Sequence, residues 1–219
     1  MSRRLTVSPS VAGSAPGTPR SRPPVGVLAL QGDFREHAAV LTSLGADVVF
    51  VRRPEEVAQI SGLVIPGGES SVIDKLARSF GVADAVVARI RGGMPVYGTC
   101  AGLILLADRV QGGIRGQQSF GGLDVSVRRN AFGAQTESFE AELDVPVLGE
   151  PPMHAVFIRA PVVTELGPKA TALASLGDGT VVAVQQGGVL GTSFHPEMTG
   201  DTRFHQYFLD TVTARSSGG

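Results

Sequence analysis

From residue 25 onward, short apolar runs alternate with stretches whose apolar residues recur at helical spacing. Residues 25–30 form a continuous apolar run that predicts a buried strand. Residues 34–44 predict a helix ended by Gly45, residues 47–51 a second strand, and Gly62–Ile65 a third strand that stops at Pro66. Ser70–Ser79 and residues 83–91 predict two helices ahead of a strand at 95–97, and an apolar helical run follows at 101–107. Strands and helices in alternation predict an α/β fold, a doubly wound, mainly parallel sheet with helices on both faces. Past Gly112 the rhythm changes to strand-like runs at 123–127, 138–143, 155–158 and 181–185, which predict an antiparallel or mixed extension of that sheet. Residues 189–194 run as a strand into His195, and residues 201–212 predict a closing helix with an acidic first turn. No internal repeat is visible.

The first 24 residues break the pattern. Arg3, Arg4, Arg20 and Arg22 sit among Ser, Pro and Gly without one acid, and a stretch this poor in apolar residues predicts a disordered basic arm. Ser2-Arg3-Arg4 has the look of a twin-arginine export signal, but Ser8, Pro9, Ser10, Gly13 and Pro16 replace the apolar segment such a signal requires. Export is therefore not expected. Composition leaves open an organelle transit peptide or a misassigned start codon. Residues 215–219 are expected to fray, which leaves 25–214 as one domain.

Composition narrows the function classes. With 42% hydrophobic and 18% charged positions, the 219-residue chain can bury a sizeable core. A formal net charge of -1 removes the general electrostatic case for nucleic acid or an anionic membrane. The single cysteine, Cys100, cannot form an internal disulfide, and no apolar run approaches the roughly 18 residues a membrane span needs. A soluble cytoplasmic enzyme acting on a small neutral or zwitterionic substrate is expected.

Three motifs carry chemistry. Gly98-Thr99-Cys100-Ala101-Gly102 lies between a predicted strand and helix and has the form of a nucleophile elbow with cysteine in place of serine. Its glycines leave room for a sharp, strained turn, and the thiol is expected to stand exposed at the carboxyl edge of the sheet. Alone, the pentapeptide also fits a small core cysteine that lies near glycines. Gly191-Thr192-Ser193-Phe194-His195-Pro196-Glu197 ends an apolar strand, and its imidazole could take the thiol proton while Glu197 orients the ring. Alone, that motif fits a strand-capping histidine better. Pro66-Gly67-Gly68-Glu69-Ser70 lets main-chain N–H groups approach a reacting carbonyl and, with Ala101, could form an oxyanion hole. Most such turns merely join a strand to a helix, with Glu69 or Ser70 as the cap.

Together and in this order, these segments resemble the class I, or triad, glutamine amidotransferases, and more narrowly the glutaminase subunits of pyridoxal 5'-phosphate synthase. The likeness runs from about Val25 to Asp210. It also rests on Leu28-Ala29-Leu30-Gln31-Gly32, Leu103-Ile104, Arg129-Asn130-Ala131-Phe132-Gly133, Ser138-Phe139-Glu140 and Phe157-Ile158-Arg159-Ala160-Pro161. The resemblance implies Cys100, His195 and Glu197 as the triad, and the turn residues themselves point to Gly67, Gly68 and Ala101 as the oxyanion hole. It implies Gly68, Glu69, Ser70, Arg129, Ile158 and Arg159 as the positions that contact L-glutamine. It implies no metal and no organic cofactor. It implies a (β/α)-barrel synthase subunit as partner in a large hetero-oligomer that receives the ammonia. Two departures stand out: Ala134 precedes Gln135 where the family usually has arginine, and Ser71 replaces a commoner threonine. The residues themselves leave three other readings: a glutaminase subunit of another synthase such as imidazole glycerol phosphate synthase, a non-catalytic assembly subunit, and a cysteine hydrolase of similar fold.

Overall fold

A computed structural model describes residues 24–129 and 138–217 of the chain. The basic arm before Pro24, the Asn130-Ala131-Phe132-Gly133 segment with Ala134 and Gln135, and the last two residues lie outside the described residues. The first half runs β1 (Val25–Leu28), α1 (Phe34–Ser43), β2 (Val48–Val51), α2 (Pro54–Val57), β3 (Gly62–Ile65), α3 (Ser70–Ser79), α4 (Val82–Arg91), β4 (Val96–Thr99) and α5 (Ala101–Leu106). The second half is mostly extended: β5 (Ala107–Gln111), β6 (Leu123–Arg128), β7 (Ser138–Leu143), β8 (Met153–Ile158), β9 (Val162–Leu166), β10 (Thr171–Ser175), β11 (Val181–Gln186) and β12 (Val189–Thr192). A single 3-10 turn, Pro196–Met198, then leads to α6 (Arg203–Ser217).

Ten strands share one mixed sheet in the order β2-β1-β3-β4-β12-β11-β9-β6-β5, with β10 pairing on β11. The half that matters for function is parallel from β2 through β12. Every residue of β1, β3, β4 and β12 is buried, as expected for parallel strands covered on both faces. Alternate side chains enter two separate cores. Leu28, Leu63, Ile65 and Val96 face α3, α4 and α5 through Ile73, Val86 and Leu103, whereas Val27, Val64, Tyr97 and Leu190 face α1 and α6 through Leu41, Phe204 and Phe208. The doubly wound α/β architecture is thus present.

The second half departs from expectation in particular places. β7 and β8 do not extend the main sheet; they form a separate antiparallel hairpin. Its Met153, Ala155 and Phe157 pack into the α1 and α6 core, so one face of the hairpin acts as a cover for that layer. The strand before His195 ends at Thr192, and α6 begins at Arg203 with no acid in its first turn. Asp201 instead accepts the Arg203 backbone N–H at 3.0 Å just outside the helix. α6 also continues to Ser217, past the expected frayed boundary at 215, where Arg215 donates to the Gly93 carbonyl at 3.0 Å.

Candidate active site

Because β3, β4 and β12 are parallel neighbours, the turns that leave them emerge side by side at one edge of the sheet. Those turns carry Pro66-Gly67-Gly68, Cys100 and His195. Cys100 occupies the link between β4 and α5 with φ 48° and ψ -101°, a conformation that costs a non-glycine residue free energy and is held by its surroundings. Cβ atoms placed on the flanking glycines show how tight the elbow is. One on Gly98 would stand 2.5 Å from the carbonyl carbon of Gly102, and one on Gly102 would strike the Ile65 carbonyl oxygen. Both obstacles are backbone atoms of packed elements. Gly102→Ala should therefore destabilise the fold by about 1–3 kcal/mol, read as a fall in Tm of roughly 2–12 °C. Gly177→Ala, where an added Cβ meets nothing within 4 Å, should leave Tm unchanged, and equal Tm values for the two variants would contradict the steric account.

His195 sits just before the 3-10 turn, and Pro196 brings Glu197 back under the ring. His195 Nδ1 donates to Glu197 Oε1 at 2.6 Å, which leaves Nε2 for the sulfur. Burial by itself would lower the His195 pKa, but hydrogen bonds and charge from Cys100 and Glu197 outweigh it, so the imidazole is pushed up to about 10. The ring thus carries its proton at neutral pH. Asp33 Oδ2 lies 3.7 Å from the same Nδ1, and burial, the larger influence, raises the Asp33 carboxyl. Asp33, His195 and Glu197 are close enough to hold a cation together, but the 2.6 Å bond to Glu197 already occupies Nδ1. Gly67 packs against this ring so closely that a Cβ there would meet His195 Cε1.

A narrow cleft opens beside the sulfur, lined by Gly68, Glu69, Ser70, Cys100, Ile104, Arg129, Ile158 and Arg159. The six positions implied for glutamine contact are therefore brought together, on three separate elements. The thiol is not exposed as expected: Cys100 is 7% accessible, because the end of β8 lies over it and the Ile158 carbonyl stands 4.0 Å from Sγ. β8 is held there by the His195 backbone N–H, which donates to the Val156 carbonyl at 3.0 Å. Arg159 has φ 44°, and it and Cys100 are the two non-glycine residues with positive φ among the described residues. Both line the cleft.

Glu69 does not cap α3 through its side chain. Its carboxylate instead accepts from Arg129 at 2.5 Å and from the Ser71 hydroxyl at 2.9 Å, so serine keeps the donor that a threonine would offer. Arg129 also donates to Gln117 Oε1 at 3.0 Å, and the Gln117 amide donates to the Ser70 hydroxyl at 3.0 Å. Gln31 Oε1 accepts the Glu69 backbone N–H at 2.8 Å, and the Gly67 carbonyl accepts the Asp33 N–H at 3.3 Å. Ala101 is the first residue of α5, so its N–H is one the helix itself leaves unbonded. Sequence reasoning assigned no role to Gln31, Asp33 or Gln117. Gln31 lies within a quoted motif and Asp33 directly after it, whereas Gln117 lies in a loop with no local signal.

A profile of the SNO glutamine amidotransferase family matches residues 27–214. The chain belongs to that family. Within it, the chain is 65% identical to the pyridoxal 5'-phosphate synthase subunit PdxT of Clavibacter sepedonicus over 202 residues, 92% of this chain and 97% of the relative. It is also 65% identical over 199 residues to the protein of the same description from Leifsonia xyli subsp. xyli, covering 91% of this chain and 98% of the relative. A crystal structure described as a glutamine amidotransferase superposes with TM-score 0.80 at 50% identity, covering 86% of this chain and 98% of that one. The family assignment agrees with the parallel sheet and its elbow. No helix among the described residues is long and apolar enough to cross a membrane.

Proposed function

We propose that the chain hydrolyses L-glutamine to L-glutamate and ammonia and is the glutaminase subunit of a pyridoxal 5'-phosphate synthase. The observation that carries this reading is the buried Cys100, His195 and Glu197 relay opening on a cleft that holds Arg129 and Glu69. Free glutamine presents a carboxylate, an ammonium and an amide. Arg129 is suited to the first and Glu69 to the second, and their mutual ion pair is the contact that an arriving amino acid would divide between its own charges.

The reaction follows from where the proton sits. The Cys100 thiolate attacks the side-chain amide carbon, and main-chain N–H groups at Gly67, Gly68 and Ala101 stabilise the oxyanion. His195, already protonated, gives its proton from Nε2 to the departing ammonia and becomes neutral. A γ-glutamyl thioester remains. Neutral His195 then removes a proton from water as it attacks the thioester, and glutamate leaves with the thiolate restored. Glu197 stays ionised and holds the ring in one orientation. No metal or organic cofactor is required by these steps. Ammonia released into water would be lost, so the reading includes a (β/α)-barrel synthase subunit in a hetero-oligomer of the cytoplasm that turns the glutaminase on and consumes its product. The relatives named as synthase subunits support a synthase partner.

The direct test is glutamate and ammonia release by this chain with and without the barrel subunit. Strong activation by that subunit is expected; activation by an imidazole glycerol phosphate synthase subunit instead would overturn the choice of partner. Arg129→Gln should raise KM for glutamine about 10–100-fold, the worth of a charged hydrogen bond, with kcat changed far less. An unchanged KM would remove Arg129 from the binding site.

A further inference from the structure

Behind the relay lies a buried pair of histidines that the steps above do not use. His37, from the first turn of α1, and His205, from the first turn of α6, are both 0% accessible. His37 Nδ1 is 2.9 Å from His205 Nε2, and His37 Nε2 is 3.0 Å from the Thr99 hydroxyl, one residue before Cys100. The same Nε2 faces Glu197 Oε2 at 3.4 Å. Glu197 is thus enclosed with its first oxygen on His195 and its second 3.4 Å from His37 Nε2, a charge contact only, and this second oxygen has no hydrogen-bond partner among the described residues. A carboxylate oxygen without a donor is costly in such a place.

The tautomers follow from elimination. If Nδ1 of His37 carried the proton, its Nε2 lone pair would face the Glu197 carboxylate, and His205 would leave a buried N–H at Nδ1 with no acceptor. With the proton on Nε2, His37 donates to the Thr99 hydroxyl, turns the positive end of the same N–H toward Glu197 Oε2 at 3.4 Å, and accepts from His205 Nε2–H. His205 Nδ1 is then only an unused lone pair. The second arrangement turns a donor rather than a lone pair toward the charged group and leaves the cheaper defect.

We infer that His37 is a positioning residue for Glu197: its Nε2–H, 3.4 Å from Oε2, attracts that oxygen electrostatically, so that the carboxylate plane aims Oε1 at His195. This inference rests on the glutaminase reading, because it assigns Glu197 its orienting task. His205 supports it by fixing the His37 tautomer, as outer partners commonly do for a functional ring.

The test is a double-mutant cycle on the full chain assembled with its synthase subunit. His37→Met, which removes the donor, should lower kcat about tenfold with KM for glutamine unchanged, and His37→Gln, which keeps an N–H near that place, should restore most of the loss. In a Glu197→Ala background His37→Met should do nothing further. An equal loss in both backgrounds, or no loss beside native Glu197, would overturn the inference. Cys100 alkylation by iodoacetamide is measured in the same four proteins and should show the same non-additivity; it decides the coupling even if the native chain ignores glutamine, an outcome that would instead refute the glutaminase reading. Nitrogen NMR of the native chain provides a check that requires no folded variant. The Nε2–H tautomer of His37 is expected, and the Nδ1–H tautomer would overturn the assignment.

Discussion

Replacing Cys100 with alanine should abolish glutamine hydrolysis, a loss of at least about ten-thousand-fold in kcat, while the fold and assembly with the synthase subunit survive. The expected size follows from the site having no second thiol. Cys100 is the single cysteine, and it alone stands at the strained elbow between β4 and α5. Stability should change little, because alanine has a Cβ like cysteine and the sulfur's nearest polar partner outside the relay, the Ile158 carbonyl, is 4.0 Å away. The variant also removes the hydrogen bond and negative charge that help raise His195, so the imidazole should titrate at lower pH than in the native chain. Histidine proton NMR reads that shift, and retained glutaminase activity in the variant would mean that another group attacks the amide.

The second large effect is on stability in acid. His205 is a buried base whose pKa is lowered from 6.5 to about 4, because burial removes the water that would solvate its charged form. His37 moves in the same direction, first by burial and then by the neighbouring His205 and His195. The unfolded chain binds protons at these positions from about pH 6.5 downward, while the folded chain does not. The stability that these two residues govern is therefore complete above about pH 6.5 and falls as the pH drops toward 4. For His205 alone, at about 1.4 kcal/mol per pH unit, the loss reaches about 3 kcal/mol, and His37 steepens it. Urea unfolding between pH 7 and 4 should show this slope in the native chain and a shallower one in His205→Gln. Parallel slopes for the two proteins would show that His205 titrates normally in the folded state.

Much of this arrangement could be read in the residues, for reasons that differ from place to place. Gly62–Ile65 and Ser70–Ser79 were delimited correctly because Pro66 and the glycine pair punctuate the chain between them. Cys100 and His195 came within reach because each ends a buried parallel strand, and parallel strands deliver their following turns to one edge. The short β9 and β10 escaped notice because each is half-exposed and lacks a clean alternation. β5 begins where α5 ends, so an apolar run that continues through Ala107 concealed the change from helix to strand. That β7 and β8 pair with each other and not with the main sheet is a matter of tertiary choice, and this choice covers the thiol that the elbow alone would leave open.

His37 and His205 mark the other limit. Each has apolar residues three and four positions on, Val40 and Leu41 for His37 and Phe208 and Leu209 for His205, a spacing that puts it on the buried face without naming its partner. Only the packing of α1 and α6 on the same side of the sheet brings them together behind Thr99 and Glu197. The Arg129 and Glu69 pair was visible in the sequence as two motif residues, but its third member, Gln117, was not, since contact across loops leaves no local pattern.

The central claim is that Cys100 is the nucleophile of a glutamine site. A diazoketone analogue of glutamine tests it most directly, because such a reagent alkylates the thiolate that its amino acid portion has placed beside it. With the synthase subunit present, peptide mass spectrometry should find one adduct per chain, on Cys100, formed in step with loss of glutaminase activity and prevented by excess glutamine. Loss of activity with the label on another residue, or glutamate release that persists after Cys100 is fully labelled, would contradict the account.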